Sequence, residues 1–202
     1  MKAVVAVPLA IERAALAALA PDVILLRTGM GPARSAAAAA RLAPAGRPLL
    51  VAGVAGALSD DLAPGDVVVA TEIRGGPAPI AVPSAPLLVA ALRRAGLTVH
   101  SGPILSVPKV LDGTDARAQA LRTGAIAVDT ESAVLAAAAA TGGRPVVVVR
   151  AVSDTPAQPL RSIRIVRNGL SALRSLRAAA PVVRNLSVPA GTLAAEGEGE
   201  VG

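Results

Sequence analysis

ESAVLAAAAATGGRPVVVVRAVSD, Glu131 to Asp154, is the stretch that decides the fold class. Its first part, Glu131 to Ala140, is built of good helix formers and is closed by Gly142-Gly143. Pro145 to Ala151 follows, a β-branched run too short for a helix and apolar on both faces. That is the pattern of a strand buried on both sides, as in a parallel sheet covered by helices. The stretch ends in Ser153-Asp154, polar groups placed where an α/β sheet binds its ligands, at the carboxyl end of a strand.

The same alternation extends outward in both directions, so the chain reads as α/β and as one domain of 202 residues. Strands are expected at 2–7, 23–27, 48–52, 66–71 and 125–128, with one or two more within 97–106. Helices are expected at 10–20, 33–43, 86–95, from Thr114 to near Gly124, and at 160–179. Residues 74–84, rich in Gly and Pro, read as a loop. The domain is expected to span 1–181, and residues 182–202, ending in Glu196-Gly197-Glu198-Gly199-Glu200, to form a flexible tail.

Composition removes several function classes. There is no Cys and a single His, His100, which excludes thiolate chemistry and a multi-His zinc site; no metal and no cofactor are expected. There is no Phe, Tyr or Trp, so a nucleobase would be held by aliphatic faces and backbone groups. The net charge of +6 suits an anionic partner, but stacking aromatics and nucleic-acid motifs are missing, so no nucleic acid is expected. The N-terminus lacks a signal-type cleavage region, and no run is long enough to span a bilayer, so the expected location is the cytoplasm.

Four segments place polar groups at strand ends. Glu12 follows the first strand, where it either serves the helix dipole or acts as a general base on water. Two glycine turns, Gly29-Met30-Gly31 and Gly53-Val54-Ala55-Gly56, bring backbone N–H groups close to an anion or a sugar. At Asp129-Thr130-Glu131 one residue caps the next helix, while the Glu131 carboxylate suits the two hydroxyls of a ribose. Asp154, beside buried apolar surface, is the candidate general acid; neighbouring Arg150 would favour its anion.

In this order the segments resemble the nucleoside phosphorylase superfamily, in particular its methylthioadenosine/S-adenosylhomocysteine nucleosidase branch. The resemblance implies a three-layer αβα domain with a mixed, partly barrel-like twisted sheet. It implies that Asp154 protonates the departing purine, that Glu12 activates the nucleophile, and that Glu131 and Thr130 hold the ribose. Val110 and Leu111, in the segment from Ser106, would meet the base together with Ser153 and Gly53. Gly29, Met30, Gly31 and Arg150 fall on the nucleophile side. Thr130 stands where the family has Met, and Val110 where it has an aromatic. Val51 and Val54 stand where phosphorylases carry phosphate-binding Arg and Ser, which leans toward water and leaves phosphate as the alternative co-substrate.

The segments Thr123 to Ala133 and Leu160 to Pro181 are more similar still to the hopanoid-associated nucleoside phosphorylases. That implies release of adenine from adenosylhopane, with methylthioadenosine/S-adenosylhomocysteine or futalosine-type nucleosides as alternatives and a homodimer or larger homo-oligomer as the assembly. A non-catalytic nucleoside-binding module is the reading from another class. The final helix carries Arg161, Arg164, Arg167, Arg174 and Arg177 and no acid, which reads as a solvated basic face or as peripheral contact with the inner membrane surface.

Overall fold

The computed structural model describes residues 2–42, 47–111, 113–159 and 163–186. In chain order these form β1 (Val4–Val7), α1 (Ala10–Ala15), β2 (Ile24–Arg27), α2 (Pro32–Ala39), β3 (Leu49–Ala57), β4 (Val67–Arg74) and β5 (Ile80–Ala81). Then come α3 (Ala85–Arg94), β6 (Val99–Ser106), α4 (Thr114–Leu121), β7 (Ala127–Asp129), α5 (Ser132–Thr141), β8 (Val146–Asp154) and α6 (Ile165–Leu186).

Five strands close on themselves. β3 pairs β8 in parallel, β8 pairs β4 antiparallel, β4 pairs β6 and β6 pairs β7 in parallel, and β7 returns antiparallel to β3. β1 and β2 extend the sheet in parallel from β3, and β5 lies against β4 within the expected 74–84 loop. The three-layer α/β fold with a mixed, partly closed sheet is therefore as expected.

β3 makes the closure possible by changing neighbours along its length. Leu49, Leu50 and Val51 pair with β1, whereas Gly56 and Ala57 pair with β7. The strand must bend between these halves, and its register against β8 slips between Ala55 and Gly56. This corrects the reading of Gly53-Val54-Ala55-Gly56 as a turn. The four residues are strand, and glycines inside a strand mark a bend and a close approach.

The interior is made of Val, Ala and Leu. Val51, Val67, Val68, Val69, Val148 and Val152 are fully buried in the sheet. α5 lies close to the sheet through Leu135, Ala136 and Ala139, and α6 covers β8 through Ala172, Leu176, Ala179 and Ala180. Small side chains let these layers approach closely without aromatic fillers.

α6 runs through Pro181 to Leu186 and so outlasts its expected end at 179. Proline removes one helix hydrogen bond, but buried Ala179, Ala180 and Val183 hold the last turns on the core. The expected boundary after 181 falls inside this helix, and 187–202 lie outside the described residues. No helix among the described residues is long and apolar enough to cross a membrane.

Candidate active site

The carboxyl ends of β3, β7 and β8 meet the start of α1, α4 and the outer face of α6 around a cavity of about 400 Å³, a size suited to a small molecule. Its lining is mostly aliphatic. Glu12, Glu131 and Asp154 all line it, and so do Met30, Val110, Leu111, Thr130 and Ser153. Residues from both ends of the chain thus converge, whereas Gly29, Gly31, Gly53 and Arg150 are not in the lining.

Glu12 sits at the third position of α1, and its Oε2 accepts the N–H of Leu9 at 2.7 Å, half of a capping box. Its Oε1 accepts the N–H of Val54 at 2.8 Å across from β3. The structural role of this residue is thus in place, and the same carboxyl lines the cavity. Burial pushes the Glu12 carboxyl above the usual range; the Val54 and Leu9 N–H groups and Arg150 oppose the rise without cancelling it.

At the end of β7 the labour is divided. Asp129 Oδ1 accepts the N–H groups of Glu131 at 3.2 Å and Ser132 at 3.1 Å, so Asp129 caps α5. Glu131 precedes the first helical residue and its carboxylate turns to the cavity. Glu131 Oε1 accepts the Gly31 N–H at 3.0 Å and the Thr130 hydroxyl. Gly31, at φ +87°, is in the left-handed region that glycine tolerates, and this aims its amide at Glu131.

Arg150 is the electrostatic centre. It is fully buried, and its Nε lies 2.9 Å and its Nη2 2.8 Å from Asp129 Oδ2. Nη2 also reaches Ser132 Oγ at 3.0 Å and Glu131 Oε2 at 3.4 Å. Burial alone would lower the guanidinium's pKa; Asp129, Glu131 and Glu12 outweigh it and hold it above the ordinary value. Burial would raise Asp129, but Arg150 with the Ser106 and Ser132 groups holds it below the usual range. The remaining nitrogen, Nη1, is buried and has no hydrogen-bond partner among the described residues. A Cβ on Gly53 would sit 2.6 Å from it and 2.9 Å from Glu12 Oε1, so only glycine fits between the two.

Asp154 has a different partner from the one expected. Its Oδ2 is paired with Arg117 Nη2, and its Oδ1 accepts the Ser153 hydroxyl at 2.6 Å. Arg150 is engaged with Asp129 and Glu131 instead. Arg117 comes from α4, is buried, and also donates to the Ala57 carbonyl at 2.6 Å. Sequence reading missed it, because Thr114 to Leu121 shows no apolar stripe that would mark one face as inward. Ser106 bonds to Asp129 Oδ1 at 2.5 Å and accepts the Ala133 N–H at 2.9 Å, so it orders the cap rather than facing the cavity.

The glycine turn after β2 is also engaged internally. Gly29 donates to the Pro8 carbonyl at 3.1 Å, and Gly31 to Glu131. His100 lies on β6 with Nε2 2.9 Å from Asp66 Oδ2, remote from the cavity lining. Among the described residues no group of three or more potential ligands is placed to hold a metal.

The family model described as the phosphorylase superfamily matches residues 11–172. No curated protein matches the chain by sequence. Among solved structures, a 5′-methylthioadenosine/S-adenosylhomocysteine nucleosidase from Helicobacter pylori superposes with a TM-score of 0.77 at 18% identity, covering 92% of this chain and 97% of that one. The futalosine hydrolase of the same organism gives 0.76 at 18% identity over the same shares. An S-adenosylhomocysteine nucleosidase from Streptococcus pyogenes gives 0.71 at 24% identity, again over 92% and 97%. At these identities the likeness is one of fold.

Proposed function

The chain belongs to the phosphorylase superfamily, and on that premise we propose that it cleaves the N-glycosidic bond of a purine nucleoside. Asp129, a buried carboxylate on this mostly aliphatic cavity, is committed to the α5 cap and Arg150; the observation that carries the reading is that three others, Glu12, Glu131 and Asp154, all buried, line the same cavity. A nucleoside offers each a task. Glu131 accepts hydrogen bonds from the ribose hydroxyls and fixes the sugar, which turns binding energy into positioning. Asp154, whose carboxylate pairs with Arg117 until it is protonated, passes that proton to N7 of the purine as the C1′–N9 bond breaks and its electron pair moves onto the base. Water forms the new bond to C1′ and passes a proton to Glu12. Arg150 Nη1, without a hydrogen-bond partner among the described residues, would donate to that water.

Water is favoured over phosphate by what surrounds the nucleophile side. The Gly29 and Gly31 amides are engaged inside the protein, Val54 is aliphatic with its N–H given to Glu12, and the Arg150 guanidinium faces three carboxylates. A phosphate dianion beside those carboxylates would be repelled.

The finer reading is release of adenine from an adenosyl group joined to an apolar lipid, adenosylhopane. The cavity wall formed by Leu9, Ile11, Ile165, Val166, Leu170 and Leu173 supports it, because a long apolar 5′ substituent would lie there without desolvating polar groups. Base release from nucleosides with graded 5′ substituents tests this point. kcat/KM should rise from adenosine through methylthioadenosine to adenosylhopane, and a fall along that order would remove the lipid substrate.

The position of Glu12 adds a pH prediction. It must be ionised to take the proton, and its pKa lies above the ordinary 4.5 because of burial. Activity should therefore fall with acidification through a limb centred above 4.5, read from a pH profile of kcat/KM. A profile flat down to the ordinary glutamate range would contradict the assignment of Glu12 as base.

A further inference from the structure

Large apolar side chains are exposed in few places, and five of them, Ile11, Met30, Val110, Val166 and Leu170, ring the mouth of the active-site cavity. Ile163, just before α6, is 98% exposed, Val166 is 70% and Ile11 on α1 is 55%. Positions 166, 170, 174 and 177 follow steps of four and three, so they share one face of α6 with Arg167 close beside them. That outward face is apolar at the mouth and basic beyond it, with Arg167, Arg174 and Arg177 all exposed. Exposed Arg13 and Lys109 flank Ile11 and Val110. No Asp or Glu occurs anywhere between residues 155 and 195.

We propose that this face of α6, with the cavity mouth, docks on an anionic lipid membrane so that the cavity opens toward the bilayer. The chemistry of each part matches one layer of that surface. Guanidinium groups bind phosphate oxygens with two parallel hydrogen bonds, and Arg167, Arg174 and Arg177 are spaced along the helix to meet successive headgroups. Ile163, Val166 and Leu170 would enter the boundary between headgroups and acyl chains. A second copy meeting this face through its own α6 would offer the arginines no acidic partner, since α6 carries no Asp or Glu. Nucleic acid is a poor occupant too, since the apolar end holds no aromatic on which a base could stack. The surface stands on exposure and charge and does not depend on which nucleoside is cleaved.

The test is flotation of the full chain with phosphatidylcholine vesicles, made with and without phosphatidylglycerol, at low and high salt. The wild type should float with the phosphatidylglycerol vesicles and be released by salt. The Arg167→Glu/Arg174→Glu/Arg177→Glu variant should lose about tenfold or more in partitioning, since three cations near the surface are reversed. Ile163→Asp, at a side chain 98% exposed, should weaken binding without altering thermal unfolding, and it keeps the test decisive if the triple variant folds poorly. Four results would overturn the proposal. They are no flotation, flotation indifferent to phosphatidylglycerol, flotation unchanged by both variants, and self-association in light scattering that the same variants abolish.

Discussion

Asp154→Asn should bind nucleoside but turn it over about 100- to 10,000-fold more slowly, the range expected when a general acid is removed. The substitution keeps the size of the side chain and its bond to Ser153. What it removes is the proton for N7, without which the base must leave as an anion. It also leaves Arg117, buried and paired with Asp154, without its counter-charge. A stability loss should accompany the catalytic one, since an uncompensated buried charge is costly. Turnover per folded molecule, with analogue binding measured by calorimetry, separates the two. Near wild-type turnover would rule out Asp154 as the acid.

Arg150→Met should cost about 3–5 kcal/mol of stability, because it strips a buried charge network of the cation its members share. Asp129, Glu131 and Glu12 all draw on this guanidinium. Lys should not restore it. A single ammonium cannot reproduce the Nε and Nη2 contacts to Asp129 together with those to Ser132 and Glu131. Urea unfolding of the three proteins measures the effect. The sign with pH follows from Asp129, whose folded pKa is held below 3.8. Its stabilising contribution is present above that ordinary value and is lost as pH falls through the lower, folded one. The gap between wild type and Arg150→Met should therefore narrow only in strong acid. A loss under about 1 kcal/mol at neutral pH, the scale of an exposed pair, would contradict the network.

The alternation of helix and strand was legible because the Val runs and Ala-rich runs differ so sharply, and the carboxylates at strand ends followed from it. The ends of elements were harder. Gly53 and Gly56 look like a turn in sequence, yet they bend a continuous strand whose two halves serve different neighbours. Pro181 looks like a stop, yet buried side chains on both sides of it carry α6 onward.

Within the site, sequence placed the three carboxylates but not the cations that manage them. Arg150 and Asp154 stand four apart on a strand, which by simple alternation suggests a shared face. The register slip before Asp154 separates them, and Asp154 aligns with Gly56 rather than continuing the earlier step. Arg117, 37 residues away in sequence, fills the gap through tertiary packing that no local pattern announces. Asp129 was visible as a cap; its second role as the main partner of Arg150 depends on where β8 lies.

The most direct test is to incubate the wild-type chain with adenosylhopane and with methylthioadenosine, with and without phosphate, and to identify both products. The expected result is free adenine and free sugar in equal amounts, at a rate that phosphate does not change. No base released from any purine nucleoside would contradict glycosidic cleavage, and a sugar 1-phosphate formed only with phosphate would contradict water as the nucleophile.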